Sequence, residues 1–293
     1  MSSRASIIIP AYNEAERIRG LLGTLTDPSI RGAYDVYVVC NGCTDGTRQV
    51  AEQYPGVMVN EIERAGKYLA LNEGDRLAGD VYPRLYCDAD LRISPPSITA
   101  LVDAISTDEV RVAGPTVHYP VEESTWTVKM YYRALASPVI AGWNSQHLIG
   151  RGLYGASRAA RLRFGDFPNL TADDLFFEAQ FDPAEMTVVS DAVVTAWVPM
   201  NLRQLFRGEI RVAAGNRQYG SAERGEDFVA DHTVMRTERY KLRLGDRIDA
   251  LKSWRRALRP GDLIPVLFYI AIRWTARTTL SVKSLRGRQV HWR

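Results

Sequence analysis

Asp88-Ala89-Asp90 sets two carboxylates at i and i+2, at the end of the largely apolar run Val81-Tyr82-Pro83-Arg84-Leu85-Tyr86-Cys87. In a strand that spacing puts both side chains on one face, and at the strand's carboxyl end the loop can turn both toward one hard cation. A cation held there could bind a diphosphate. Asp-x-Asp also occurs in plain solvated turns, so its weight depends on what stands beside it.

Three more groups of residues bear on the same chemistry. Tyr12, in Pro10-Ala11-Tyr12-Asn13-Glu14, offers an aromatic face to a base, and Asn41, at the head of Asn41-Gly42-Cys43-Thr44-Asp45-Gly46-Thr47, offers donors and an acceptor to a base edge. Arg64-Ala65-Gly66-Lys67 leads into a helix, so Lys67 and the free N–H groups of the helix start could hold an anion. Taken singly, Tyr12 could simply pack, Asn41-Gly42 could simply turn, and Lys67 could simply be solvated. A dinucleotide fold of the Gly-x-Gly-x-x-Gly kind is excluded, because Pro10-Ala11-Tyr12 stands where those glycines belong, and no phosphate-binding Gly-Lys-Ser/Thr loop is present.

The elements that must position these residues follow from periodicity. Residues 6–10, 36–40, 57–62 and 84–87 read as strands, and 14–25, 44–54 and 67–77 as helices, the first with Ile18, Leu21, Leu22 and Leu25 on one face. Strands alternating with helices imply a mostly parallel sheet covered on both faces, with ligands at the strands' carboxyl ends, where all the polar loops just named fall. Beyond residue 95 a helix with Ile98, Leu101, Val102 and Ile105 on one face is expected. A strand near 110–117, a helix over 124–136, a loop-rich stretch over 142–155 and a short strand at 153–156 come next. A helix over 173–181 and strands over 186–198 with a turn at Ser190-Asp191 follow. From residue 201 the chain reads as helical, interrupted by the polar segment 220–231.

A length of 293 residues allows one large α/β domain or one domain plus an appendage, and 46% hydrophobic and 24% charged residues make a globular composition. Three cysteines are too few for a disulfide framework and favour a reducing, cytoplasmic setting. Cys40-x-x-Cys43 has redox or half-zinc-site spacing, but no second pair accompanies it and the histidines are scattered. No signal peptide is visible at the amino terminus, and the apolar run 263–272, containing Pro265 and closed by Arg273, falls short of the ~20 residues a spanning helix needs. The net charge of +3 hides an asymmetry: residues 200–293 hold twenty Lys/Arg against nine Asp/Glu. With Trp254, Phe268, Tyr269, Trp274 and Trp292 among those arginines, this segment suits an anionic membrane surface better than nucleic acid, and a solvated helical surface is the plain alternative.

At this point the chain resembles a known family. Ile7-Ile8-Ile9-Pro10-Ala11-Tyr12-Asn13-Glu14, Asn41-Gly42-Cys43-Thr44-Asp45-Gly46-Thr47, Gly66-Lys67-Tyr68-Leu69-Ala70-Leu71-Asn72-Glu73-Gly74 and Asp88-Ala89-Asp90 are similar, in order and spacing, to the successive signatures of glycosyltransferase family 2. The resemblance covers about residues 5–200. It implies a GT-A fold, with a catalytic domain over 1–200 (nucleotide-sugar half 1–105, acceptor half 106–200) and a basic helical extension over 201–293. It further implies inverting transfer from a nucleotide-diphosphate sugar to an acceptor hydroxyl, with Mn²⁺ or Mg²⁺ at Asp88 and Asp90. The donor would be held among Pro10, Tyr12, Glu14, Asn41, Lys67, Asp88, Ala89 and Asp90.

Thr171-Ala172-Asp173-Asp174-Leu175-Phe176-Phe177 resembles the family's acidic pair, which makes Asp174 the expected base and Asp173 its neighbour and rival. A carboxylate beside apolar groups and a second carboxylate has a raised pKa, and a helix cap is the plain alternative. The family's second loop often reads Asp-Asp where this chain has Cys40-Asn41, which leaves the nucleotide base open. Gln204-Leu205-Phe206-Arg207 lacks the Trp of the processive synthases' Gln-x-x-Arg-Trp element, which argues for transfer of one residue at a time, with Arg207 or Arg211 able to steady the departing diphosphate. A nucleotidyltransferase and a non-catalytic, membrane-docking GT-A-like domain remain as alternatives.

Overall fold

β1 (Ala5–Ala11) is buried along its whole length, as a strand of Ala and Ile must be when both faces of its sheet are covered. The computed structural model of the chain describes residues 5–223 and 258–285. After β1 come α1 (Ile18–Leu25), β2 (Tyr34–Asn41), α2 (Thr47–Ala51), β3 (Val57–Ile62), α3 (Lys67–Ala78), β4 (Arg84–Cys87), β5 (Arg92–Ile93) and α4 (Pro95–Ile105). Then follow β6 (Val112–His118), α5 (Trp126–Leu135), α6 (Pro138–Asn144), β7 (Leu153–Ala156), α7 (Arg158–Arg161), α8 (Asp173–Glu178), β8 (Met186–Thr195), α9 (Leu202–Glu223) and α10 (Leu263–Leu285).

The eight strands form one sheet in the order β3-β2-β1-β4-β7-β6-β8-β5. Its first four strands are parallel, as the helix–strand alternation predicts. The second half is mixed: β7 runs antiparallel to both β4 and β6, β6 is parallel to β8, and β5 pairs antiparallel with β8. α1 buries Ile18, Leu21, Leu22 and Leu25 and α4 buries Ile98, Leu101, Val102 and Ile105, each side chain contributing about 1.5–3 kcal/mol. Ser94 caps α4 by accepting from the Ser97 N–H, with Pro95 in the first turn where its missing donor costs nothing. Gly74 lies where α3 crosses β1; a Cβ there would run into the Ile8 side chain, so only glycine permits this approach.

Several boundaries differ from the sequence reading for identifiable reasons. α1 starts at Ile18 rather than at residue 14, because Asn13 adopts φ 55° and the Glu14 N–H donates to Thr47 Oγ1 at 2.8 Å instead of entering a helix. α2 starts at Thr47 rather than 44, because Asp45 turns back to accept from the Thr47 N–H at 3.0 Å. No turn divides 186–198: β8 is continuous, and its pairing with β6 skips from Val189 to Val193, absorbing Ser190 and Asp191 as an irregularity.

The chain forms two compact units, one built from residues 5–118 with 146–197 and the other from 119–145 with 198–223 and 258–285. The sheet lies entirely in the first. In the second, Val128, Tyr131 and Leu205 pack with Phe268, Tyr269 and Ile272, and Ile210 and Ala213 pack with Ala276 and Leu280. Tyr131 donates to Glu209 at 2.6 Å. The helical reading holds for 202–223 and 263–285; Trp254, Trp292 and most of the segment 220–231 lie outside the described residues.

Candidate active site

Four loops converge at the carboxyl ends of the parallel strands. Two are laced together: the Asn13 side chain accepts from the Thr44 N–H at 2.8 Å, and Asp45 accepts from the Ala15 N–H at 3.2 Å. Asn41, expected to meet a base edge, is instead buried and spans the loops, donating to the Ala11 carbonyl at 2.8 Å and accepting from the Gly66 N–H at 3.0 Å. Its amide sets the height of the α3 amino terminus, where Lys67 stands. Pro10 lies in register with Val39 at the β1 end. Tyr12 is 38% exposed, its ring available to a planar ligand. Cys43 donates to the Ala11 carbonyl at 3.3 Å.

Lys67 joins Asp88 of the Asp-x-Asp segment to Asp173 of the acidic pair. Its Nζ lies 2.7 Å from Asp88 Oδ1 and 2.9 Å from Asp173 Oδ1. Burial alone would lower its pKa, but Asp173 and Asp88 hold it well above the usual lysine value. Asp173 is buried, and its other oxygen accepts from the Tyr154 hydroxyl at 2.7 Å. The Tyr154 ring packs against Phe177 and Tyr86, at centroid distances of 4.4 and 5.3 Å.

Asp174 faces a different set of groups. One oxygen accepts from the Gly150 N–H at 2.6 Å and the other from the Leu175 N–H at 2.8 Å. Burial, then the charge of Asp173, push its carboxyl up to about 6, against the pull of the Gly150 N–H and Lys67. A carboxylate so placed is held still and is ready to accept a proton near neutral pH.

The segment 147–152 is cinched to both sides of this site. His147 Nδ1 pairs with Glu178 Oε1 at 2.6 Å, the Leu148 N–H donates to the same buried carboxylate, and the Gly152 carbonyl accepts from the Asp88 N–H at 2.7 Å. Gly152 has φ +68°, and a Cβ there would press on Leu91 at 3.1 Å and Asp88 Oδ2 at 3.2 Å. Behind the site, Asp75 accepts from Arg84 at 2.7 Å, Arg161 at 2.7 Å and the Tyr86 hydroxyl at 2.8 Å, fixing the wall that carries Tyr154.

The donor set fits a divalent cation. Asp88 and Asp90 supply hard oxygens, Ala89 between them is buried, and Lys67 already places a positive charge on Asp88. Glu14 Oε2 is buried without a hydrogen-bond partner. Burial, then Asp90, push the Glu14 carboxyl up to about 7, and burial, then Asp88, raise Asp90. Such crowding of carboxyls is what a cation relieves. Among the described residues no cluster of three or more metal-ligating side chains is preassembled, so other ligands would come from phosphate and water.

Sequence reasoning thus names Asp88, Asp90, Lys67, Asp173 and Asp174, and the structure brings Asp88, Lys67 and Asp173 together. It passes over Tyr154, Gly150, His147 and Glu178. The Gly150-Arg151-Gly152 spacing was a readable signal of a sharp turn; nothing local marked Tyr154. Arg207 and Arg211 sit exposed on α9 in the second unit.

A Rossmann-like sheet with Asp-x-Asp at one strand's carboxyl end, a Lys-led helix beside it and an acidic pair opposite defines a GT-A fold. Glycosyl transferase family 2 matches residues 6–161, more than half of the chain, and the chain belongs to that family. It is 41% identical over 75 residues to glycosyltransferase AglE of Haloferax volcanii, covering 24% of this chain and 25% of that protein. Over 108 residues it is 32% identical to a dolichol-phosphate mannosyltransferase of Pyrococcus furiosus, covering 35% and 30%. The match thus spans less than a third of either curated relative. Among solved structures the chain is similar to the mannosyltransferase PcManGT of Pyrobaculum calidifontis in complex with GDP-Man and Mn²⁺, with TM-score 0.60 and 22% identity over 99% of this chain and 89% of that one. It is also similar to glucosyl-3-phosphoglycerate synthase of Mycobacterium tuberculosis in complex with Mn²⁺, UDP and glucosyl-3-phosphoglycerate, with TM-score 0.53 and 19% identity over 78% and 81%. At these identities the likeness is one of fold.

Proposed function

We propose that this chain is a metal-dependent, inverting glycosyltransferase that moves one sugar from a nucleotide-diphosphate sugar to an acceptor hydroxyl. The observation that carries the reading is the double ion pair of Lys67. It brings Asp88 of the donor site and Asp173 of the acidic pair to within 3 Å of one nitrogen, so donor phosphate and attacking hydroxyl would meet in one place.

The base would lie over Tyr12, while Asn41 shapes the loop from within. Asp88 and Asp90, with Glu14 nearby, would hold Mn²⁺ or Mg²⁺. When bound, the ion offsets charge developing on the departing diphosphate. Lys67 and the amino terminus of α3 supply further positive charge at the same edge. Asp174 takes the proton from the acceptor hydroxyl; the hydroxyl oxygen forms the bond to the anomeric carbon as the bond to the diphosphate oxygen breaks, and the configuration inverts. Asp173, tied to Lys67 and Tyr154, is the positioning neighbour whose charge raises the affinity of Asp174 for that proton.

Family membership sets the nucleotidyltransferase alternative aside. GDP-mannose, bound by PcManGT, and UDP-glucose, bound by the Mycobacterium tuberculosis synthase in another complex, are the first donors to test. Thermal shift with a nucleotide-sugar panel, with and without Mn²⁺, should show stabilisation by at least one donor that needs the metal. Indifference to every donor would favour the non-catalytic alternative.

A further inference from the structure

α10 carries apolar side chains on two faces, and among the described residues only one of them is packed. Val266, Phe268, Tyr269, Ile272, Ala276 and Leu280 turn inward against the other helices of the second unit. Leu263, Leu267, Ile270 and Trp274, at i, i+4, i+7 and i+11, form a stripe on the other side with Ile264, and they are 47, 56, 43, 67 and, for Ile264, 69% exposed. Trp126 at the start of α5 is 69% exposed and stands 6.5 Å from the Phe268 ring, extending the stripe onto a second helix.

The charged residues bordering the stripe are mainly cationic, with Asp262 and, before Trp126, Glu122 and Glu123 as the acidic members. Arg259 precedes it, Arg277 follows Trp274, and Lys129 and Arg133 lie on the exposed face of α5 at i+3 and i+7 from Trp126. Residues 258–285 hold four Lys/Arg against Asp262 alone, and Asp262 already faces Arg133 at 4.0 Å. Exposed tryptophans at the ends of an apolar stripe, with a cationic border, match the layering of a bilayer interface: acyl chains, headgroups, anionic charge. A second copy of the chain would bring the same cations face to face, which disfavours self-association through this surface. Spanning is not the mode, since no described helix is long and apolar enough to cross a membrane.

We infer that the outer face of α10, with Trp126, docks this protein on an anionic lipid surface, the helix lying in the plane of the interface. The set of residues differs from the sequence expectation: Phe268 and Tyr269 belong to the helix–helix core, and Leu263, Ile264, Leu267, Ile270 and Trp126 take their place.

The test is co-sedimentation of the full chain with vesicles of phosphatidylcholine alone and of phosphatidylcholine mixed with phosphatidylglycerol, independent of any sugar donor. The intact chain should sediment with the mixed vesicles, less so at high salt, and hardly with phosphatidylcholine. Ile264→Ser/Leu267→Ser/Trp274→Ala should weaken that partition by roughly tenfold or more, with its thermal unfolding unchanged because the three side chains are exposed. Arg259→Glu/Lys129→Glu should abolish the preference for anionic vesicles. Failure of the intact chain to sediment, undiminished sedimentation of the apolar triple variant, or a dimer by light scattering that the triple variant converts to monomer would each overturn the inference.

Discussion

The Lys67 ammonium lies 2.9 Å from the buried carboxylate of Asp173, and this ion pair ties the amino terminus of α3 to the amino terminus of α8. Because the same nitrogen reaches Asp88 at 2.7 Å, Asp88 and Asp173 share one counter-ion; under the proposed function these are the donor and acceptor sides of the site, and disturbing it should be felt on both.

Lys67→Met leaves Asp173 buried with only the Tyr154 hydroxyl. Loss of about 1–3 kcal/mol is expected, the order for leaving a buried carboxylate short of a partner when that partner, Lys67, is itself part-exposed, together with at least roughly tenfold weaker donor binding. Urea unfolding and calorimetric titration measure the two effects. Lys67→Arg should not restore donor binding, because a planar fork cannot place one nitrogen where a point charge now serves two carboxylates.

Tyr154→Phe keeps the ring that packs on Phe177 and Tyr86 but removes the hydrogen bond to Asp173. Stability should drop by about 1 kcal/mol. kcat should fall about tenfold while KM for the donor changes little, the pattern of a residue that positions the acidic pair without touching the nucleotide.

The raised carboxyl of Asp174 fixes the sign of two pH effects. As base it must be ionised, so kcat should fall with acid below about pH 6, approaching tenfold per unit. For stability the direction is opposite. A carboxyl whose pKa is higher folded than unfolded contributes stability that is full below the unfolded value of 3.8 and lost as pH rises through about 6. Chemical unfolding of Asp174→Asn across this window should show a flatter stability–pH curve than the parent chain.

Asp75→Ala strips the shared partner from Arg84 and Arg161, whose side chains are 3% and 9% exposed. Two buried guanidinium groups without their carboxylate should cost about 3–5 kcal/mol or prevent folding. Asp75→Asn, which keeps an acceptor for one of them, should cost less by the urea midpoint.

The parallel half of the sheet was legible because its strands are short apolar runs separated by amphipathic helices, and α1 and α4 declared their buried faces by spacing. The polar loops were legible because Asp, Asn, Lys and Gly cluster where strands end. Asn41 was not legible in full: an amide able to read a base is equally able to bridge two backbones, and the contacts with Ala11 and Gly66 appear only in three dimensions. Tyr154 was invisible because β7 is four residues long and its aromatic looks like core. Its hydroxyl matters only because α8 arrives from elsewhere in the chain. Ser190-Asp191 read as a turn because polar pairs usually are one; pairing with β6 on both sides kept the strand continuous.

In the proposed reaction Asp174 moves the proton while Asp88, Asp90 and Lys67 hold the donor. Its most direct test sets Asp174→Asn beside the parent chain, with donor affinity measured by calorimetry in Mn²⁺ and transfer followed by mass spectrometry of an acceptor fraction. Donor affinity should stay unchanged within about twofold and transfer should fall by roughly 10²–10⁴. Transfer near the parent rate by Asp174→Asn, with donor still bound, would contradict this role for Asp174.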